Sequence, residues 1–345
     1  IYSIMWKINI NFLRYIAIVL LAVLTITARA QEMVGLVSSN YAGVNSVLIN
    51  PSSLHNSKLY LDINIVSAGV FHENNYLYIA AEDYKFTNFF DLDYTYPTHS
   101  SSDGGGDRPL YTTDNTSDKN SFSQLRVLGP SAMLVVNDHA FAVSTGFRTI
   151  NVVRNLPYDM ANYFYYGLGY MPQRQKRYSN DDEYSTTTVT WSEVAVSYSA
   201  IVKNYFKNKW VAGITMKGLL GHGASYINGS HTDYTVIDGE TIDIHRLDAD
   251  IGYALPVNYT TNEFQPGELF KGKGFGVDLG VTYQRNKKGH SNMKYRKLCH
   301  QKFDAYDYRI GLSILDLGAV TYADNARLYR YENGIALWEN VDSLS

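Results

Sequence analysis

Residues 273–284 read KGFGVDLGVTYQ. Phe275, Val277, Leu279, Val281 and Tyr283 take the odd positions, and Gly274, Gly276, Asp278, Gly280, Thr282 and Gln284 take the even ones. A β-strand shows its side chains alternately to two faces, so one face here is continuously apolar and the other is nearly bare and polar. Such a strand separates two unlike solvents.

The same two-residue rhythm recurs along the chain. Residues 125–150 read as two arms joined at Asn137-Asp138, residue types that tolerate the left-handed conformations of a tight turn. Folding the arms there sets Leu134, Ala132, Pro130 and Leu128 beside Phe141, Val143, Thr145 and Phe147. The opposite face then carries Met133, Ser131 and Gly129 beside Ala142, Ser144 and Gly146. Val194, Val196, Tyr198, Ala200 and Val202 alternate with Glu193, Ala195, Ser197 and Ser199, and Trp210, Ala212, Ile214 and Met216 with Val211, Gly213, Thr215 and Lys217. Late in the chain Tyr306, Tyr308, Ile310, Leu312 and Ile314 alternate with Asp307, Arg309, Gly311 and Ser313. In a soluble sandwich the second face tends to carry bulky polar side chains; glycine and serine there suit a tightly curved wall or a filled lumen. The arms run for about 10–15 residues, longer than the 5 or 6 common in soluble domains and enough for a tilted membrane strand. The pattern predicts an all-β fold: a transmembrane antiparallel β-barrel of the outer-membrane type, built of about nine strands and incomplete at its C-terminus. Pro130 in mid-arm fits least, since proline has no N–H to give a ladder.

Composition agrees without deciding. The chain has 345 residues, a formal charge of -3 and a mean hydropathy of -0.22, values that a barrel with one lipid face and one wet face shares with soluble proteins. Thirty tyrosines and four tryptophans against eight prolines suit long strands with aromatic belts. Lys7 and Arg14 precede an apolar run over 15–26, and Ala28-Arg29-Ala30 follows, the layout of a secretory signal peptide over 1–30. Removing Lys7, Arg14 and Arg29 leaves 27 basic against 33 acidic residues, a balance that does not favour nucleic acid. The lone Cys299 makes no internal disulfide, and nothing marks a base for it. A short helix is expected over 159–167. The turns at Asn137-Asp138 and 203–208 are short, whereas 82–121, 154–183 and 228–241 read as long loops, so the short turns are assigned to the periplasmic side. Strand parity over 241–272 stays open.

Residues 40–54, NYAGVNSVLINPSSL, precede the first strand, KLYLDINIVSAG. This order resembles the N-terminal region of outer-membrane barrels of the long-chain fatty acid transporter type. Together with GFGVDLGVTY and YRIGLSILDLGAVTY, it is more closely similar to an uncharacterised family of Bacteroidota outer-membrane proteins known only as a domain of unknown function. The similarity covers most of 35–322. With the signal peptide over 1–30 set aside, it implies a hatch-like segment over 31–57 tucked toward the lumen and a barrel over 58–345. Asn50 and Pro51 would stand at the turn into the first strand, and no catalytic residue is implied.

Asp278 interrupts an apolar strand at an inward position, where it either pairs with Arg309 or Lys217 to shape a pore or hold the hatch, or stands as a rim or lumen residue that merely keeps the interior wet. His222, His231 and His245, near Asp233, Asp238, Asp243 and Asp248, match no compact metal motif and read as a polar surface loop. Asp114, Asp118 and Asn120 lack the glycine and distal glutamate of a calcium loop. The basic block over 285–302 reads as a solvated loop that alternatively lies on anionic lipid. No nucleotide or hydrolase fingerprint occurs, so no cofactor, metal or catalytic residue is expected. The expected function is an outer-membrane protein that passes or binds a hydrophobic or small solute, or scaffolds an envelope complex, with lipid, such a solute or an envelope protein as partners. The alternative is a secreted β-sandwich that binds glycans through tyrosine-rich loops such as 158–170.

Overall fold

The structure, a computed structural model, describes residues 35–81, 83, 85, 98–101, 106–108, 110–113, 115–261, 269–287, 293–294, 302–303 and 306–341. The signal-peptide segment 1–30, Cys299, Asp114 and most of the basic block lie outside the described residues.

Twelve strands form one antiparallel sheet. They are β1 (Leu61–Asn64), β2 (Ser67–Asn74), β3 (Lys119–Leu128), β4 (Ser131–Val136), β5 (His139–Leu156), β6 (Arg177–Asn180), β7 (Tyr184–Tyr205), β8 (Asn208–Val236), β9 (Ile242–Ala254), β10 (Gly272–Asn286), β11 (Tyr306–Tyr322) and β12 (Ala326–Trp338). Pairing sets several of them end to end: β1 with β2, β3 with β4, β6 with β7, β9 with β10, and β11 with β12. The segments therefore make seven long lines, each antiparallel to the next in chain order, rather than nine strands. β8 alone has 29 residues, which at about 3.3 Å per residue makes it on the order of 90 Å long.

The sheet is not closed into a barrel. β1 and β2 form one edge and β11 and β12 the other. One face, called inner here, carries two 3-10 turns, Gly43–Leu48 and Pro51–Asn56, which pack on β4, β5, β7, β8 and β10. Beneath them Val44, Val47, Leu48 and Leu54 meet Leu128, Met133, Ala140 and Ala142 in an apolar core. The other face stays bare: Phe141 is 50% exposed, Val143 54%, Phe275 52% and Leu279 42%. Among the described residues no second layer covers this apolar side, as a sandwich would require.

Three local expectations are corrected. β3 and β4 are separated at Gly129-Pro130, so the missing proline donor falls at a break in the ladder and the parity changes across it. Leu128 therefore pairs with Gly146 and is buried inside, while Val127 pairs with Phe147. A register shift next to Asn286 turns Tyr306 inward, away from the apolar face with which its even number had grouped it. His222, His231 and His245 lie in β8 and β9 rather than in a loop, and the connection between those strands is only 237–241. The open parity over 241–272 resolves as β9, an excursion over 255–271, then β10 in line with it. The tight turns are as short as the sequence implies: Val136 pairs with His139, and Tyr205 with Asn208, across Asn137 and Phe206 in the left-handed region.

Candidate functional site

The inner face is built in three tiers, beginning near the tight turns. In the first tier the N-terminal segment lies against the sheet. Asn50 caps the second 3-10 turn, accepting from the Ser52 N–H at 2.9 Å and from Ser52 Oγ at 2.6 Å, with Pro51 preset at the first position. Its amide nitrogen donates to Leu312 O at 3.3 Å. Ser52 Oγ meets Thr282 Oγ1 at 2.5 Å, Ser199 Oγ receives the His55 N–H at 3.2 Å, and Ser313 Oγ donates to Ile49 O at 2.6 Å. The small inward residues thus serve as partners for a second piece of backbone. A Cβ at Gly213 would overlap the Pro51–Ser52 main chain, and one at Gly280 would overlap Asn50. Gly43, in the left-handed region, brings the neighbouring Val44 N–H onto Asp62 Oδ2 at 2.9 Å.

His55 closes this tier at the tight-turn end. Its ring is half-buried, with Nε2 3.1 Å from Asn137 O. Burial, helped by the Lys209 charge and opposed by the Asn137 carbonyl and Asp138, pushes its pKa down to about 4, so it is docked as the neutral imidazole.

The second tier is charged. Lys217 Nζ stands 2.7 Å from Asp278 Oδ2 and 2.7 Å from Asp316 Oδ1, and Arg148 Nη1 is 2.9 Å from Asp316 Oδ2. The Asp316 N–H also donates to Asp278 Oδ1 at 2.7 Å. Lys217 and Asp278 are 4% and 2% exposed, so each depends on the other for compensation. Beside them Arg126 Nη2 lies 3.5 Å from Glu193 Oε1, and the Arg148 guanidinium sits 5.0 Å from the Trp191 ring centre. Asp316 reaches this tier through a bulge: Val277 pairs with Leu317 but Leu279 with Ile314, and Asp316 has a φ of 57°. Sequence reading missed it, although the doubled apolar pair in ILDL, Ile314 with Leu315, was a visible break in the rhythm.

Arg309, the other cation considered for Asp278, lies elsewhere. It donates to Gln284 Oε1 at 2.9 and 2.6 Å and to Asn40 Oδ1 at 3.1 Å, while Tyr306 OH donates to the same Asn40 oxygen at 3.0 Å. It therefore ties the start of the N-terminal segment to the sheet. Of the named candidates, Asn50 and Pro51 belong to the docked segment, Lys217 and Asp278 form one ion pair, and Arg309 anchors Asn40.

A third tier, farther from the tight turns, is a cavity of about 280 Å³ bounded by Trp191, Leu219, Val320 and Tyr322. The histidines do not converge. His222 bonds Ser192 Oγ at 2.7 Å and lies tilted against Phe147 and Phe270, His245 bonds Thr235 at 2.9 Å, and His231 faces Asp248 at 3.5 Å. Among the described residues no group of three His, Cys, Asp or Glu side chains could hold a metal.

A family model described as a family of unknown function (DUF5723) matches residues 51–344. The chain belongs to that family. No curated protein and no solved structure matches the chain. The match begins at Pro51, within the docked turn, and runs through every strand of the sheet.

Proposed function

We propose that this family member is an integral outer-membrane β-barrel protein whose N-terminal segment plugs the lumen and whose inner face binds, or passes under control of that plug, a small or hydrophobic solute. The observation that carries the reading is the contrast between faces. The bare outer face is apolar over a limited height. The inner face is polar, charged and occupied by the chain's own N-terminal backbone.

Two aromatic groups bound the apolar zone. Near the tight turns Tyr198 packs on Phe141 at 5.2 Å, and Trp210 packs on Tyr283 at 4.9 Å, which meets Tyr308 at 6.0 Å. At the far border Phe147, His222 and Phe270 cluster at 5.7 and 5.4 Å. Along β8 the twelve residue steps from Trp210 to His222 span about 40 Å of strand, or roughly 28 Å of height at a tilt near 45°, close to the apolar band of such barrels. Beyond that band β8 and β9 continue as a polar extension. No described helix is long and apolar enough to cross a membrane, so strands would do the crossing. In lipid, sheet edges must be paired, so further strands would bridge β1 and β2 to β11 and β12.

The test is fractionation combined with one substitution. The protein should partition with the outer membrane and show heat-modifiable migration; recovery as a soluble species defeats the reading. Val277→Arg, opposite Met216 at mid-height on the outer face, should destabilise the folded form by about 2–4 kcal/mol in a bilayer. A surface in water would absorb the same change within about 0.5 kcal/mol.

A further inference from the structure

We propose that the third-tier cavity binds a small amphiphile with a hydrogen-bond-donating, non-anionic head. The inference rests on the reading of the inner face as a lumen and adds the class of solute. The cavity, about 280 Å³, is small for a ligand site and suits a ring system or a short chain. Its body is apolar, with Trp191, Leu219, Val320 and Tyr322 drawn from three different strands; the Tyr322 hydroxyl is already committed to Thr190 O at 2.9 Å.

The polar end decides the head group. Arg148, Lys217 and Asp316 all border the cavity, which at first suggests a site for an anion. The two cations, however, are matched by two carboxylates, and their side chains are only 6% exposed, whereas the Asp316 side chain is 48% exposed. The accessible polar atoms are thus carboxylate oxygens, which accept hydrogen bonds and repel a second carboxylate. An alcohol or amide head gains an acceptor there and brings no charge out of water. The bulge at Asp316 has a purpose on this reading, since it presents the carboxylate to the cavity while the same residue bridges Arg148 and Lys217.

Gly276 supplies the means to test it. A Cβ there would stand 3.7 Å from both Leu219 Cδ1 and the Lys217 side chain, ordinary contact, so a larger side chain can enter the cavity without moving the backbone. Gly318, also on the lining, is unsuitable, because a Cβ there would overlap the Phe275 carbonyl.

The full chain, folded in lipid nanodiscs, is titrated calorimetrically with 2-naphthylmethanol and with 2-naphthoate, with empty nanodiscs subtracted. The alcohol should saturate one site. The anion should bind at least about tenfold more weakly, Gly276→Leu should weaken the alcohol by at least about tenfold, and Gly276→Ala should change it by less than about threefold. Equal or tighter binding of naphthoate overturns the proposal, as does Gly276→Leu binding the alcohol like the parent, or a parent chain that binds no alcohol. If the chain fractionates as soluble, the same titrations run in buffer without lipid, so failure of the membrane reading and failure of the ligand reading are separate results.

Discussion

The two ends of the long strands are covered by opposite kinds of chemistry. Near the tight turns the N-terminal segment rests on an apolar core, but its seating on the sheet is fixed by single directional bonds: Asn50 to Leu312, Ser52 to Thr282, Ser313 to Ile49. It also needs clearances that only glycine gives at 213 and 280. At the far end of β8 and β9 the cover is a helix, α1 (Tyr158–Tyr166), packed by bulk. Leu168 joins Tyr234, Val236, Ile242 and Ile244 in a core, Tyr166 stacks on Tyr170 at 4.3 Å, and Tyr178 stacks on Tyr234 at 5.5 Å. The polar ends of these rings are tied inward, Tyr76 OH to Asn162 at 2.6 Å and Tyr234 OH to Asp159 at 2.6 Å. Burial, reinforced by neighbouring tyrosines, raises the Tyr76 hydroxyl well above its usual range. The rings of 158–170 therefore serve packing as much as they offer a surface. Bulk packing tolerates adjustment, whereas a bonded fit against backbone does not. The end that carries the N-terminal segment should be brittle and the helical end graded.

The largest effect is expected beside the docked N-terminal segment. Lys217→Met leaves Asp278 buried without its cation and should cost about 3–5 kcal/mol, read as a lowered denaturation midpoint; adding Asp278→Leu should recover much of that loss. A single-variant loss below about 1 kcal/mol would mean that the Asp316 N–H and water compensate the carboxylate, and the brittleness argument fails.

Gly213→Val should force the Pro51–Ser52 backbone off the sheet at about 1–3 kcal/mol. Residues 43–56 should then become sensitive to protease and exchange their amides faster, while α1 keeps its protection. Loss of protection at both ends would break the comparison, because it would mean that the two covers fold as one unit.

Tyr234→Phe removes the bond to Asp159 but keeps the ring, so the helical end should lose only about 1–2 kcal/mol. Denaturation of that variant, set beside Gly213→Val, measures the contrast directly. A larger loss than that at Gly213 would reverse the ranking of the two ends.

The smallest effect is a pH dependence at His55. Docked, the ring stays neutral down to about pH 4; released, it takes a proton near pH 6.5. The undocked state therefore binds more protons between those values. Docking is at full strength above about pH 6.5, weakens as the pH falls through that window and levels off below about pH 4. For a half-buried ring the change is on the order of 1 kcal/mol. Amide exchange of 51–57 followed from pH 7.5 to 4.5 should show it, and His55→Asn should flatten the profile.

Several of these features were legible from residue order. The resemblance placed Asn50-Pro51 at a turn, and that the Asn50 side chain caps it is a local device of an Asn before a proline. Lys217 and Asp278 each stood on the small-residue face of an alternating strand. The choice between Lys217 and Arg309 was not legible, because it depends on register. Thr215 lies opposite Asp278, which puts Lys217 one inward position away, while Arg309 lies opposite Gln284, three inward positions along β10. Asp316 was hidden by parity counting, since its bulge moves a carboxylate to the other face without changing composition.

Residue order by itself determined which side of each arm is apolar, because strand geometry alternates side chains whatever the partner is. Where that alternation slips, at Gly129-Pro130, beside Tyr306 and at Asp316, only neighbouring strands decide, since a bulge is a mismatch between two chains rather than a property of one. The seven lines, the ion pair across β8 and β10, and the seating of the N-terminal turn on Gly213 likewise belong to tertiary structure, for each joins segments many residues apart.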